Sequence, residues 1–223
     1  MGYKESFIEL MVESGVLTFG EFITKSGRKS PYFINTGNYR TGAQISKLGD
    51  YYARCIAASG EEFDCLYGPA YKGIPLAVAA SISLYNNFGK GIYYSFNRKE
   101  KKDHGEGGTI VGYVPKDGDR IAIIEDVVTA GTAVRETMQL FASMAGVKIT
   151  ALYVSCDRME RGKGSLSALD ELEMEYGIRV YPIVTIREVI NYLSENDVNG
   201  KRYLDKNLLA RVESYLEKYG AER

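Results

Sequence analysis

Residues Arg120–Met138 read RIAIIEDVVTAGTAVRETM, and this stretch decides the fold. An apolar strand, Ile121 to Ile124, ends in two adjacent carboxylates, Glu125 and Asp126. A turn of small residues follows, Thr129-Ala130-Gly131-Thr132-Ala133, and opens a helix running to about Met144. Small residues let the backbone approach a ligand closely, and a helix start offers unpaired N–H groups at the positive end of its dipole. A phosphate monoester fits there, with the Thr129 and Thr132 hydroxyls as further donors. The two carboxylates sit too early to touch that phosphate. They are placed to accept hydrogen bonds from sugar hydroxyls and to help hold a hydrated Mg²⁺. A capped helix after an acidic strand end explains each piece, but not their order, which is the order a ribose phosphate needs.

Outward from this segment the chain alternates. Strands are expected at 65–67, 92–96, 109–114, 150–154 and 180–184, with helices at about 45–59, 74–85, 133–144, 166–176, 186–195 and 205–219. Apolar strands alternating with amphipathic helices imply an α/β fold whose central sheet is mostly parallel and flanked by helices on both faces. In such sheets ligands bind beyond the carboxyl ends of the strands. Before residue 41, a helix ending at Gly15 precedes short apolar runs broken by Gly20, Gly27, Pro31 and Gly37, a pattern for a small β-ribbon or hood. Residues 1–40 are therefore expected to form helix and hood, and 41–223 the α/β core.

With 223 residues, 45% hydrophobic and 26% charged, the chain has the composition of an ordinary packed domain. A net charge of -1 and a pI near 6.0 argue against a nucleic-acid or anionic-membrane binder. Its three cysteines, Cys55, Cys65 and Cys156, fall in no metal-ligand spacing and read as buried thiols of a reducing cytoplasm. No leader pattern and no apolar stretch of membrane-spanning length is present.

The 120–138 segment resembles the signature of the type I phosphoribosyltransferases. The resemblance implies that Glu125 and Asp126 bind the ribose hydroxyls of phosphoribosyl diphosphate. It gives the 5-phosphate to the turn Val127, Val128, Thr129, Ala130, Gly131, Thr132 and Ala133. Four other segments resemble the orotate phosphoribosyltransferases in particular. They are the hood TKSGRKSPYF (Thr24 to Phe33), the diphosphate loop YGPAYKGIPL (Tyr67 to Leu76), the mobile loop FNRKEKKDHGEGG (Phe96 to Gly108) and CDRMERG (Cys156 to Gly162). They occur in order, from about residue 5 to about 200.

The pieces make chemical sense on their own. A cationic, glycine-rich loop over 97–109 suits a lid that closes on a polyanion and excludes water. A diphosphate leaving group gains charge as its bond breaks, so positioned cations stabilise it most in the transition state. By resemblance, Arg98, Lys99, Lys102 and His104, the one histidine of the chain, act on the donor diphosphate, several of them in a partner's site. That predicts an obligate homodimer. The same source assigns Lys25, Tyr71 and Lys72 to donor phosphates, and makes Lys102, His104 and Asp126 the catalytic group. Arg158 offers a planar fork of donors to orotate. Phe33 and Ile34 offer an apolar wall and backbone N–H groups, and Thr129 also borders the acceptor. Mg²⁺ is expected to sit mainly on the donor's own oxygens.

Two rivals stay in view. A purine or uracil enzyme of the same fold would keep 120–138, but has no reason to keep the hood, the basic loop and Arg158 together. A regulator sensing phosphoribosyl diphosphate and binding nucleic acid would show a basic surface and lose the loop.

Overall fold

Apolar side chains at alternate positions of short strands face helices on two sides, and this sets the architecture of the computed structural model. It describes residues 2–24, 27–100, 109–144, 146–162 and 164–221. After α1 (Tyr3–Glu13) come two ribbon strands, β1 (Leu17–Ile23) and β2 (Lys29–Ile34), and a short 3₁₀ turn, Thr36–Asn38. The core follows as α2 (Gly42–Ser59), β3 (Cys65–Tyr67), α3 (Gly73–Phe88), β4 (Tyr93–Asn97), β5 (Ile110–Gly112) and β6 (Arg120–Glu125). Then come α4 (Thr132–Ala142), β7 (Lys148–Asp157), α5 (Ala168–Tyr176), β8 (Arg179–Thr185), α6 (Ile186–Glu195) and α7 (Lys206–Tyr219).

The main sheet has the order β5-β4-β3-β6-β7-β8, with every neighbouring pair parallel except β4 and β5. On β6, Ala122 and Ile124 face the core built by α1, α2, α3 and α6, whereas Ile121 and Ile123 face α4 and α5. Leu152 and Tyr153 on β7 divide the same way. Period-two alternation with apolar residues on both sides is what a doubly covered parallel strand requires. The mostly parallel sheet between helices is as expected.

Of the boundaries that differ from the sequence reading, three have a clear physical cause or consequence. Helix α2 starts before Ile45 because Thr41 and Gln44 form a capping box. Strand β7 continues past Val154 to Asp157, since Ser155 and Asp157, though polar, are buried at 2% exposure and hydrogen-bonded. The expected strand at 109–114 is only Ile110–Gly112, an edge strand.

Strands β1 and β2 pair antiparallel as a separate ribbon, and α7 packs against β2. Within the main sheet the chain leaves β3 toward β4 on one side and places β6 on the other. The carboxyl ends of β3 and β6 therefore flank a topological switch point, the usual ligand crevice of open α/β sheets. Among the described residues no helix is long and apolar enough to cross a membrane.

Candidate active site

The loop after β6 is fastened before its side chains are aimed. The Ser155 N–H and hydroxyl both donate to the Asp126 carbonyl, at 2.9 and 2.6 Å, and the Tyr52 hydroxyl donates to the Glu125 carbonyl at 2.7 Å. Asp126 Oδ2 accepts from Thr36 Oγ1 at 2.5 Å and from Lys72 Nζ at 2.8 Å. Lys72 Nζ also donates to Thr36 Oγ1 at 3.0 Å. The turn after β3, the acid pair after β6 and the 3₁₀ turn thus meet at one carboxylate oxygen, in the crevice the topology creates.

Val127 and Val128 pack against opposite cores and hold the turn down, leaving Thr129, Ala130 and Thr132 exposed at the start of α4. Gly131 caps that helix with φ +70°, and a Cβ there would lie 3.2 Å from Leu172 Cδ1. Conformation and crowding both call for glycine. The result is a row of exposed small residues over a helix N-terminus, which is the geometry of a phosphate site.

Glu125 is largely buried. Burial, with the Asp126 charge as second cause, raises its pKa from 4.5 to about 7, against the pull of Lys72 and Lys99. A raised folded-state pKa favours the native state most below the ordinary carboxylate range, and that contribution is lost as pH rises through about 7. The sequence reading gives Glu125 the sugar hydroxyls, and its charged form accepts from them more strongly than its neutral form. Donor affinity is therefore expected to rise between about pH 6 and 8, and melting temperature to fall between about pH 4.5 and 7, with both steps weakened in Glu125→Gln. Calorimetric titration of donor and thermal melts across those windows check it; a Glu125→Gln profile identical to wild type would remove Glu125 from the account.

The loop after β3 is built on two glycines set back to back. A Cβ on Gly68 would lie 2.0 Å from the Gly73 carbonyl oxygen, and one on Gly73 would lie 2.6 Å from the Gly68 carbonyl carbon. Between them the Ala70–Tyr71 peptide is cis. Tyr71 is exposed, with Lys99 Nζ 5.0 Å from its ring centroid. Asn97 Oδ1 accepts the Ala70 N–H at 2.7 Å, and Arg98 N–H donates to the Thr109 carbonyl at 2.8 Å. Residues 97, 98 and 109 are thereby tied to one another and to the turn after β3. Lys25, Lys102 and His104 lie outside the described residues.

On the loop after β7, Arg158 is nearly enclosed. Its Nε and Nη2 donate to Glu160 Oε1 at 3.1 and 2.6 Å, and its guanidinium lies 4.9 Å from the Tyr32 ring centroid. Phe33 is exposed and stacks on Phe22, at 5.5 Å between centroids. Ile34 corrects the sequence reading: its side chain turns into the core at 9% exposure, because the pleat that faces Phe33 outward faces Ile34 inward. Of the two side chains expected to wall the acceptor, only that of Phe33 faces outward. Sequence reading passed over Thr36, Tyr52, Ser155 and Glu160, although Glu160 stands inside the quoted CDRMERG motif.

Comparison with known proteins agrees with this layout. The phosphoribosyl transferase domain family matches residues 36–175. A curated orotate phosphoribosyltransferase of Lachnoclostridium phytofermentans is 53% identical over 221 residues, covering 99% of this chain and 98% of that protein. The chain belongs to the orotate phosphoribosyltransferase family. A second relative of that name, from Clostridium acetobutylicum, is 51% identical with 99% of each chain covered. The crystal structure of the Francisella tularensis orotate phosphoribosyltransferase superposes with a TM-score of 0.85 at 37% identity, covering 97% of this chain and all of that one. The matched domain begins at Thr36, so the ribbon β1–β2 lies outside it while the acid pair, the turn and Arg158 lie within.

Proposed function

We infer that the chain transfers ribose 5-phosphate from phosphoribosyl diphosphate to orotate, giving orotidine 5-phosphate and diphosphate. The observation that carries this is full-length identity to orotate phosphoribosyltransferases, together with an arginine enclosed beside the hood. The bond from ribose C1 to the diphosphate oxygen breaks, its electron pair leaves with diphosphate, and a ring nitrogen of orotate forms the new bond to C1 while its proton passes to the departing diphosphate. The transition state carries positive charge on the ribose and extra negative charge on diphosphate.

The residues divide that charge. Glu125 and Asp126 take the ribose hydroxyls and place negative charge near the forming cation. The exposed turn from Thr129 to Thr132 takes the 5-phosphate. Lys72, Tyr71 and Lys99 lie toward the diphosphate, and Lys102 and His104 of the loop complete that side. Arg158 and Phe33 receive the acceptor. Among the described residues no group of three or more His, Cys, Asp or Glu is arranged to hold a metal. The adjacent carboxylates Glu125 and Asp126 fit the outer shell of Mg²⁺ carried on donor oxygens, where it would neutralise diphosphate charge.

A homodimer with the loop shared across its interface follows from the same reading. It would draw on exposed apolar side chains carried by neighbouring elements, Ile82, Tyr85 and Phe88 of α3 and Tyr93 and Tyr94 on the two faces of β4. The test follows orotate absorbance with donor and Mg²⁺. His104→Ala and Asp126→Ala proteins are each expected to be nearly inactive. After subunit exchange about a quarter of wild-type activity should return, because half the dimers are mixed and each mixed dimer keeps one intact site. No recovery would sink the shared loop. No orotate consumption by wild-type protein that still binds donor would move the acceptor to another base.

A further inference from the structure

Glu160 poses a problem. A carboxylate beside an arginine that receives an anionic acceptor weakens the pull on that acceptor, so electrostatics alone argues against it. Its geometry supplies a reason to keep it. An arginine presents five N–H groups on a planar fork. Glu160 Oε1 occupies the Nε and Nη2 edge, at 3.1 and 2.6 Å. The Tyr32 ring covers one face, 4.9 Å away. What remains for a ligand is the terminal edge, with both Nη1 protons and one on Nη2.

Glu160 is itself held from several sides. The Tyr32 hydroxyl donates to its Oε1 at 2.6 Å, and Arg28 Nη1 stands 3.9 Å from Oε2. Its backbone forms a bridge with Gly220, flanked by bonds from Arg161 N–H to the Tyr219 carbonyl and from Ala221 N–H to the Met159 carbonyl. The other end of Arg158 is fixed too, since Asp157 Oδ1 accepts the Met159 N–H at 2.7 Å and Met159 adopts φ +52°. Arg158 and Glu160 side chains are only 12% and 13% exposed, so neither has room to re-form the pair elsewhere. The hood, the Arg158 loop and the residues after α7 converge on one carboxylate.

We propose that Glu160 is a positioning residue that fixes which edge of Arg158 meets the acceptor, and that the hood and the end of α7 act on acceptor recognition through it. This rests on the reading of Arg158 as the acceptor's arginine. A fixed edge is worth more than a free charge, because orientation removes the freedom an unpaired guanidinium would have to give up on binding.

The experiment is steady-state kinetics on Arg158→Ala, Glu160→Ala, the double variant and Glu160→Gln, with donor affinity by calorimetry as a check on folding. Glu160→Ala is expected to raise the KM for orotate about tenfold, as for loss of about one charge-assisted hydrogen bond, with kcat and donor KM within about twofold. The double variant should be no worse than Arg158→Ala, since a residue acting through another adds nothing once that residue is gone. Glu160→Gln, which keeps an accepting oxygen, should recover part of the loss. Additive effects, an unchanged orotate KM in Glu160→Ala, or loss of donor binding in step with orotate would each overturn the positioning role. If Arg158→Ala itself leaves the orotate KM unchanged, it is the acceptor-site reading that fails instead.

Discussion

Asp126→Asn is expected to lower kcat/KM by about 10² to 10³, the scale seen when one preorganised electrostatic group is removed from a transition state. One carboxylate oxygen of Asp126 gathers the Thr36 hydroxyl and the Lys72 ammonium, and both contacts need an acceptor. An amide keeps the size but loses the charge that opposes the forming ribose cation. One of its two orientations also turns an NH₂ group toward the Lys72 ammonium. Folding should survive, because the backbone of residue 126 is held through its own carbonyl by Ser155, which the substitution leaves alone. Single-turnover rates separate this from a binding defect: the chemical step should fall far more than donor affinity. A variant that loses donor affinity but keeps the wild-type chemical rate would reduce Asp126 to a binding group.

Gly68→Ala is the second large effect, and it works through the backbone. The added methyl would sit 2.0 Å from the Gly73 carbonyl oxygen and 2.9 Å from Ala77 Cβ, neither of them the end of a flexible chain. The turn must open, and the overpacking cost is about 3 kcal/mol, at the upper end of the usual range. For a chain of this length that corresponds to a fall in melting temperature of roughly 6 to 12 °C. Opening also breaks the register between Gly68 N–H and the Ser95 carbonyl and shifts Lys72 away from Asp126. Donor KM should therefore rise by about tenfold or more even well below the melting point, since small displacements of positioning groups are costly. Differential scanning calorimetry and donor titration measure the two effects. A fully active, equally stable Gly68→Ala protein would mean that the back-to-back glycines are incidental.

The acid pair and the phosphate turn were legible in the sequence because their chemistry is contiguous: strand, carboxylates, small residues and helix lie within Arg120–Met138. The parallel sheet was legible because Ile121–Ile124 and its counterparts are apolar on both faces. The extension of β7 was not, because hydropathy counts Ser155 and Asp157 as polar and cannot see that each is satisfied inside the protein. Thr36, Tyr52 and Glu160 escaped notice for another reason. Their partners are 90, 73 and 128 positions away, to Asp126, Glu125 and Tyr32 respectively, and nothing local announces such a contact. In the sequence the hood and CDRMERG are linked only by a shared resemblance. The Arg28, Tyr32 and Glu160 contacts give that pairing a physical basis.

The Lys72–Asp126 pair has a consequence for how turnover ends as well as how it begins. Because the two residues already satisfy each other at 2.8 Å, a donor bound as proposed above would enter by exchange: its hydroxyls would replace the ammonium on Asp126, and its phosphate the carboxylate on Lys72. The number of opposite-charge contacts changes little. Salt then weakens both sides of the exchange together, and donor affinity should vary less with ionic strength than the charge of the donor suggests. As the product left, re-formation of the pair would compensate both charges again, so the empty site carries no unpaired charge at this position.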